Sequence, residues 1–254
     1  EHGAEAVRQL VEEATRHEPA AIRVVGTSAV RDAVNRDVFA ALVKERAGVQ
    51  LEVLTGSQEA RLIARGASTD PALQAVSAFN MIDLGGGSLE CIRYRDHVLE
   101  QAASLQIGAV RMTERFVDHP QHPFPGEAEA AIRSAVLEAY GNSGFTFPKG
   151  VPLVGSGGAV TVTRAILAGQ DGREILSRDP VLGVGEMRAL LAEVAALNLT
   201  EREALTGLPE NRADIYPAAL VVLLTCAELA GAEAIVHSFH NLRWGLAAEM
   251  MQSV

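Results

Sequence analysis

Two glycine runs, each closing an apolar stretch, are the residues of this sequence best equipped for chemistry: Met81-Ile82-Asp83-Leu84-Gly85-Gly86-Gly87-Ser88 and Pro152-Leu153-Val154-Gly155-Ser156-Gly157-Gly158-Ala159. A glycine run leaving a strand lets successive backbone N–H groups converge on one anion, because no Cβ blocks close approach and positive φ costs little. Two such runs suit a clamp on a chain of phosphates. Asp83 ends the first apolar stretch, where a carboxylate beside bound phosphate holds Mg²⁺ or another divalent cation, directly or through its waters. The chemistry implied is phosphoryl transfer. Neither run is a dinucleotide fingerprint: counting from Gly155, the first and third positions are glycine but the sixth is Val160, which disfavours a Rossmann cofactor site.

The elements that must position these residues follow from periodicity and capping. Apolar residues at helical spacing predict a helix over 4–16, and a short strand follows at 21–25. Asn35 caps a helix running to 46 with Gly48 as its stop, and 49–54 form a second strand. Thr55 and Gln58 fit a capping box, which puts Glu59 in the first turn of the next helix. The strand beginning at 79 carries Asp83 into the first glycine turn and out into a strand at 89–95. A turn at 95–97 then leads to another strand from 98. Strand, glycine turn, strand is not the strand, turn, helix order of a dinucleotide fold. Helices are predicted at 110–117 and 127–140, separated by a rigid Pro-rich loop at 119–126. The second strand-and-turn, 152–155, runs into a helix at 159–167, whose N-terminus adds partial positive charge to the donors of its turn. Further helices fall at 185–197, 200–205, 214–230 and 242–251, with a strand at 234–236.

At 254 residues the chain suits two modest domains better than one large core. Its 48% hydrophobic, 21% charged and 4% aromatic composition is that of a globular α/β protein. The net charge of −10 disfavours nucleic-acid and anionic-membrane binding, both of which need a basic footprint, so a polyanionic ligand must be met locally. Cys91 and Cys226 read as separate buried hydrophobes, consistent with a reducing, cytoplasmic setting. The longest apolar run, 218–227, is too short to cross a bilayer. The sequence opens Glu1-His2-Gly3 without a secretory pattern. A homodimer is the default expectation for self-association.

Five stretches together resemble the exopolyphosphatase and guanosine pentaphosphate phosphatase family: Gly26-Thr27-Ser28-Ala29-Val30-Arg31-Asp32-Ala33-Val34-Asn35, Thr55-Gly56-Ser57-Gln58-Glu59-Ala60-Arg61-Leu62, Ile82-Asp83-Leu84-Gly85-Gly86-Gly87-Ser88-Leu89-Glu90, Gly155-Ser156-Gly157-Gly158, and Gly207-Leu208-Pro209-Glu210-Asn211-Arg212-Ala213-Asp214. Their order and separations match over essentially the whole chain. The resemblance implies the fold of the actin, sugar kinase and heat-shock ATPase superfamily: two ribonuclease-H-like α/β domains with a cleft between them. Residues 1–62 would be a partial first domain, with the helix at 242–254 packing back on it, and 63–241 the second. By the same resemblance Glu59 activates the attacking water, Asp83 is linked to Mg²⁺, and Glu90 lies close to the metal. Gly85, Gly86, Gly87 and Ser88 match a phosphate loop. Gly155, Ser156, Gly157 and Gly158 match a later glycine motif on the far side of the cleft, and Arg31 lines it and contacts phosphate. Read without the resemblance, Arg31 beside Asp32 is an ordinary surface pair and Glu90 a polar strand position.

The sequence departs from the family pattern in places. Gln58 replaces the first acid of an acidic pair but Glu59 is kept, Gly26 replaces a common alanine, and only Arg243 and Gly245 carry over from a later G-L-R-E-G pattern. No first phosphate loop precedes Gly26, from which we expect weak phosphoanhydride hydrolysis by residues 1–254 alone. His237 and His240 have no Cys or carboxylate cluster beside them in sequence and do not read as a zinc pair. The expected activity is removal of terminal phosphate from inorganic polyphosphate or guanosine pentaphosphate. A kinase or ATPase of the same superfamily and a non-catalytic binder of an alarmone or phosphate chain are the alternatives.

Overall fold

Where a cap or stop residue marks an element in the sequence, the element is found there. The computed structural model describes residues 1–96 and 98–252. His97, in the turn read at 95–97, and Ser253 and Val254, in the helical segment read at 242–254, lie outside the described residues. The chain divides into two compact units, Glu1–Glu59 and Ala60–Val254.

The first unit runs α1 (His2–Thr15), β1 (Val24–Gly26), α2 (Ser28–Arg31), α3 (Arg36–Ala47) and β2 (Leu51–Val53). β1 and β2 pair in parallel, and α1 packs on α3. Gly48 ends α3 at φ 70°, the left-handed stop its position implied. The backbone N–H of Thr55 donates to Gln58 Oε1 at 2.8 Å and that of Gln58 to Thr55 Oγ1 at 3.2 Å, so the capping box is formed. It starts α4 (Gly56–Ala67) with Glu59 in the first turn. The four-residue α2 has no counterpart in the periodicity, being too short to show one.

The second unit is a six-stranded mixed sheet covered by helices. β3 (Ala78–Leu84), β4 (Leu89–Arg95) and β5 (Val98–Leu105) form an antiparallel meander. α5 (Ala109–Phe116) and α6 (Gly126–Asn142) lead to β6 (Leu153–Ser156), which lies parallel to β3. α7 (Gly158–Gln170) crosses to β7 (Val181–Gly183), an edge strand too short for the sequence to betray, followed by α8 (Val184–Ala196), α9 (Leu199–Glu203) and α10 (Tyr216–Ala230). β8 (Ala234–His237) pairs parallel with β6, and α11 (Leu242–Met251) follows. The order across the sheet is β5-β4-β3-β6-β8-β7: the meander is continued by β6 and β8, parallel to β3 through helical crossovers, which is the ribonuclease-H-like arrangement, and β7 lies antiparallel to β8 at the far edge.

Side-chain alternation along β3 divides the core. Phe79 and Met81 face one way, packing with Ala60, Ile63, Ala64 and Ala67 of α4, whereas Ile82 and Leu84 face the other and join the core around α10. α10 is apolar nearly all round and buried along most of its length, as a helix enclosed by neighbours must be. Both cysteines are buried and unbridged. Among the described residues no helix is long and apolar enough to cross a membrane.

Candidate functional site

The two glycine turns meet at the ends of neighbouring strands. β3 and β6 are parallel with Asp83 in register with Ser156, so both turns leave the same edge of the sheet, side by side in one unit. The resemblance had the later motif on the far side of a cleft; parallel pairing of the two strands that carry the turns sets them next to each other.

The first turn is braced by the start of α5. Ala109 N donates to Gly85 O at 3.0 Å, Val110 N to Gly86 O at 2.9 Å, and Gly108 N to Gly87 O at 3.3 Å. Arg111 Nε also donates to Gly87 O, at 3.0 Å. A planar trans peptide points its N–H opposite to its carbonyl. With three successive carbonyls turned toward α5, the N–H groups of Gly86, Gly87 and Ser88 point away from it together, as an anion-binding nest requires. The glycines of this turn do not serve positive φ, since the left-handed glycines do not include Gly85, Gly86 or Gly87; the close approach lies at Gly108, where a Cβ would stand 2.3 Å from Gly86 O.

The second turn needs both properties. Gly157 has φ 90°, and a Cβ there would lie 2.7 Å from Leu84 O and 2.9 Å from Asp83 Oδ1. It packs directly on the end of the first strand. Gly158 opens α7, whose first-turn N–H groups have no partner within the helix and carry its partial positive charge.

Between the turns lies Asp83. Its carboxylate accepts a hydrogen bond from the Ser156 hydroxyl. Burial pushes the Asp83 carboxyl up from its ordinary range, an effect the Ser156 bond partly offsets. Glu90 is its partner directly across the antiparallel β3–β4 pair, buried, and accepts from Ser104 Oγ at 2.7 Å. Among the described residues no three His, Cys, Asp or Glu side chains gather into a ready-made metal cage. The donor set instead fits a cation such as Mg²⁺, which takes one or two carboxylates and completes its shell with water and phosphate oxygens.

The first unit holds a second pair of expected residues. Arg31 Nη1 donates to Glu59 Oε2 at 3.0 Å and to the Leu54 carbonyl at 2.8 Å. Its Nε is 3.8 Å from Asp32, the sequence neighbour with which it was also read as a surface pair. Glu59 is buried, and the other terminal nitrogen of Arg31 is buried without a hydrogen-bond partner. A buried donor left open is a place for an oxygen ligand.

Sequence reasoning gave no role to Arg212, although its motif carried part of the resemblance. The 3₁₀ turn Glu210–Arg212 sets its guanidinium beside the second glycine turn, where a Cβ on Gly158 would stand 3.5 Å from Nη1. Arg212, Gly85, Gly158 and Tyr216 share a recess of about 20 Å³, room for one water-sized group. The signal was the arginine in that motif; what hid it was its distance of 54 positions from Gly158.

Comparison with known proteins places this arrangement. A sequence model of the Ppx/GppA phosphatase family matches residues 1–254. Exopolyphosphatase 2 of Mycobacterium tuberculosis is 32% identical, the match covering 96% of this chain and 79% of that protein. The guanosine-5'-triphosphate,3'-diphosphate pyrophosphatase of Photobacterium profundum is 26% identical over 92% of this chain, which spans only 45% of that relative. Among solved structures, an exopolyphosphatase-like protein superposes with a TM-score of 0.87 at 25% identity, covering 98% of this chain and 81% of its own. An exopolyphosphatase from Cytophaga hutchinsonii does so with a TM-score of 0.84 at 24% identity, covering 99% and 81%. The fold is theirs, and on the match along its whole length this chain belongs to the Ppx/GppA phosphatase family.

Proposed function

We propose that the protein releases the terminal phosphate of inorganic polyphosphate or of guanosine pentaphosphate by attack of water. The observation that carries this reading is the set of three N–H groups, from Gly86, Gly87 and Ser88, turned outward beside Asp83 and the head of α7. Such a surface binds an oligophosphate through its oxygens and needs no base or sugar contact. The names of the relatives support the two substrates, a polyphosphate for one and a guanosine nucleotide for the other.

Hydrolysis forms a bond from water oxygen to the terminal phosphorus and breaks the bond from phosphorus to the bridging oxygen, in line. Glu59 orients that water and takes its proton. Arg31, already donating to Glu59, fixes the carboxylate's direction and keeps its open nitrogen for a phosphate oxygen. The amides of the glycine turns hold equatorial oxygens, and because they are set before substrate arrives they need little reorganisation in the transition state. Arg212 covers Gly158 and adds positive charge on that side. Asp83 and Glu90 would hold the divalent cation, which supplies charge neutralisation on the phosphates and the leaving oxygen.

Orthophosphate release tests the proposal, with tripolyphosphate, long-chain polyphosphate, guanosine pentaphosphate and ATP as substrates, in Mg²⁺ and in EDTA. We expect slow release from the first three in Mg²⁺ and none in EDTA. Glu59→Gln should lower kcat about 10²–10⁴-fold, the usual worth of a general base, while tripolyphosphate binding persists. Undiminished turnover in that variant would remove Glu59 from the chemistry; ATP consumed only with an added acceptor would make the protein a kinase.

A further inference from the structure

Behind the second glycine turn runs a line of hydrogen bonds whose direction is set by its two ends. Arg164, on α7, is 6% exposed, and a guanidinium can only donate. Its Nη1 lies 3.4 Å from His237 Nδ1, so Nδ1 carries the lone pair and the ring proton sits on Nε2. Nε2 is 3.1 Å from Thr161 Oγ1. The single hydroxyl hydrogen of Thr161 goes to the Gly157 carbonyl at 3.0 Å, so the hydroxyl accepts from Nε2–H. From Arg164 Nη1 through His237 and Thr161 to the Gly157 carbonyl, each link then pairs one donor with one acceptor. His237 is 5% exposed, ends β8 opposite Gly155, and packs on Phe239 with ring centroids 4.4 Å apart. The charged groups that bear on it are Arg164 and, with the opposite sign, Asp70. Burial and then Arg164 push the imidazole down to about 4, which keeps it neutral near pH 7.

Peptide planarity passes this line on to the ligand side. The Gly157 carbonyl and the Gly158 N–H share one plane and point in opposite directions, so a carbonyl held toward Thr161 fixes the N–H that heads α7. We propose that His237 is a positioning residue for the second glycine turn: as the neutral Nε2–H tautomer it orients, through Thr161, the peptide whose N–H meets substrate phosphate. The proposal rests on the function inferred above, and only the tautomer can be read without it.

Conservative variants separate this role from simple packing. His237→Gln brings an amide N–H to the place of Nε2, whereas His237→Asn puts its amide at the place of Nδ1 and cannot reach Thr161. The Kd and KM for tripolyphosphate should rise about tenfold in His237→Asn and Thr161→Val, the effect of about 1.4 kcal/mol of lost interaction. They should return to within about twofold of the parent in His237→Gln and Thr161→Ser, and the double variant His237→Asn/Thr161→Val should be no worse than either single one. Binding by calorimetry reads this series even if no phosphate is released. Imidazole nitrogen NMR of the full chain should give the Nε2–H pattern. An Nδ1–H pattern, additive losses in the double variant, or equal losses in the Asn and Gln variants would overturn the proposal. Absence of hydrolysis with the Nε2–H pattern and the binding series intact would count against the enzymatic reading alone.

Discussion

His237 also ties the fold to pH, because its burial has a cost that acid exposes. The folded imidazole titrates near 4 and the free one at 6.5. Between these values the unfolded chain takes up a proton that the folded one refuses, so the fold is at full strength above pH 6.5 and loses stability as pH falls toward 4. The loss amounts to about 3 kcal/mol across that window. We expect the urea midpoint to be level from pH 7 to 8 and to decline from 6.5 downward, with much of the decline removed in His237→Gln, which has no proton to gain. Carboxylates contribute their own slope at the acid end, so the quantity to read is the difference between variant and parent. If the two profiles run parallel, the imidazole is not buried as described. A residue that serves the site at neutral pH thus sets a lower pH limit on the molecule.

At the scale of elements, one close crossing limits what the sequence can tolerate. A Cβ on Gly245 of α11 would lie 1.8 Å from the carbonyl oxygen of Leu62 on α4, and one on Gly66 would lie 2.1 Å from the Asn241 oxygen. The two backbones touch where those glycines face, and Arg61 and Arg65 reach Glu249 beside the contact. Gly245→Ala must push the helices apart; overpacking of this kind costs about 1–3 kcal/mol or more, about 2–12 °C in Tm at this chain length. Gly141→Ala, at a helical glycine with nothing within 4 Å of the added Cβ, is the control and should leave Tm unchanged or slightly raised. Equal effects would refute the crossing. Gly245 shows how far sequence could be read: it stood out as a retained motif residue, but its reason lies 183 positions away at Leu62. Strands, helices and the capping box at Thr55 are local and were legible from period and cap. The Asp83 strand end and both glycine turns were legible too, because their residue types carry the chemistry. That the turns adjoin depends on β3 pairing with β6, Arg31 meets Glu59 across 28 residues, and Arg212 reaches Gly158 by a fold-back. No local pattern encodes such meetings. The edge strand Val181–Gly183, three residues long, has no period to detect.

For the molecule as a whole, the charge balance bears on which phosphate chains it will accept. Twenty-two Lys and Arg against 32 Asp and Glu leave −10, so a polyanion meets net repulsion from the molecule, offset locally by donors such as those around the glycine turns. Tripolyphosphate fits within that reach. A long polyphosphate has further charges that trail over a surface of its own sign and are repelled at a range set by the ionic strength, about 30 Å at 0.01 M and 8 Å at 0.15 M. Raising salt from 10 to 150 mM should therefore raise kcat/KM for long-chain polyphosphate relative to tripolyphosphate, by about threefold or more, because screening relieves repulsion of the tail while both substrates lose alike at the site. A protein that gripped the chain along a basic track would do the reverse, since salt would weaken each added contact. Competition between the two substrates in one vessel, read at both salt concentrations, gives the ratio directly. A ratio that falls with salt would mean that cationic side chains beyond the donors of the glycine turns line up along the polymer, and would favour the long chain over short oligophosphates as substrate.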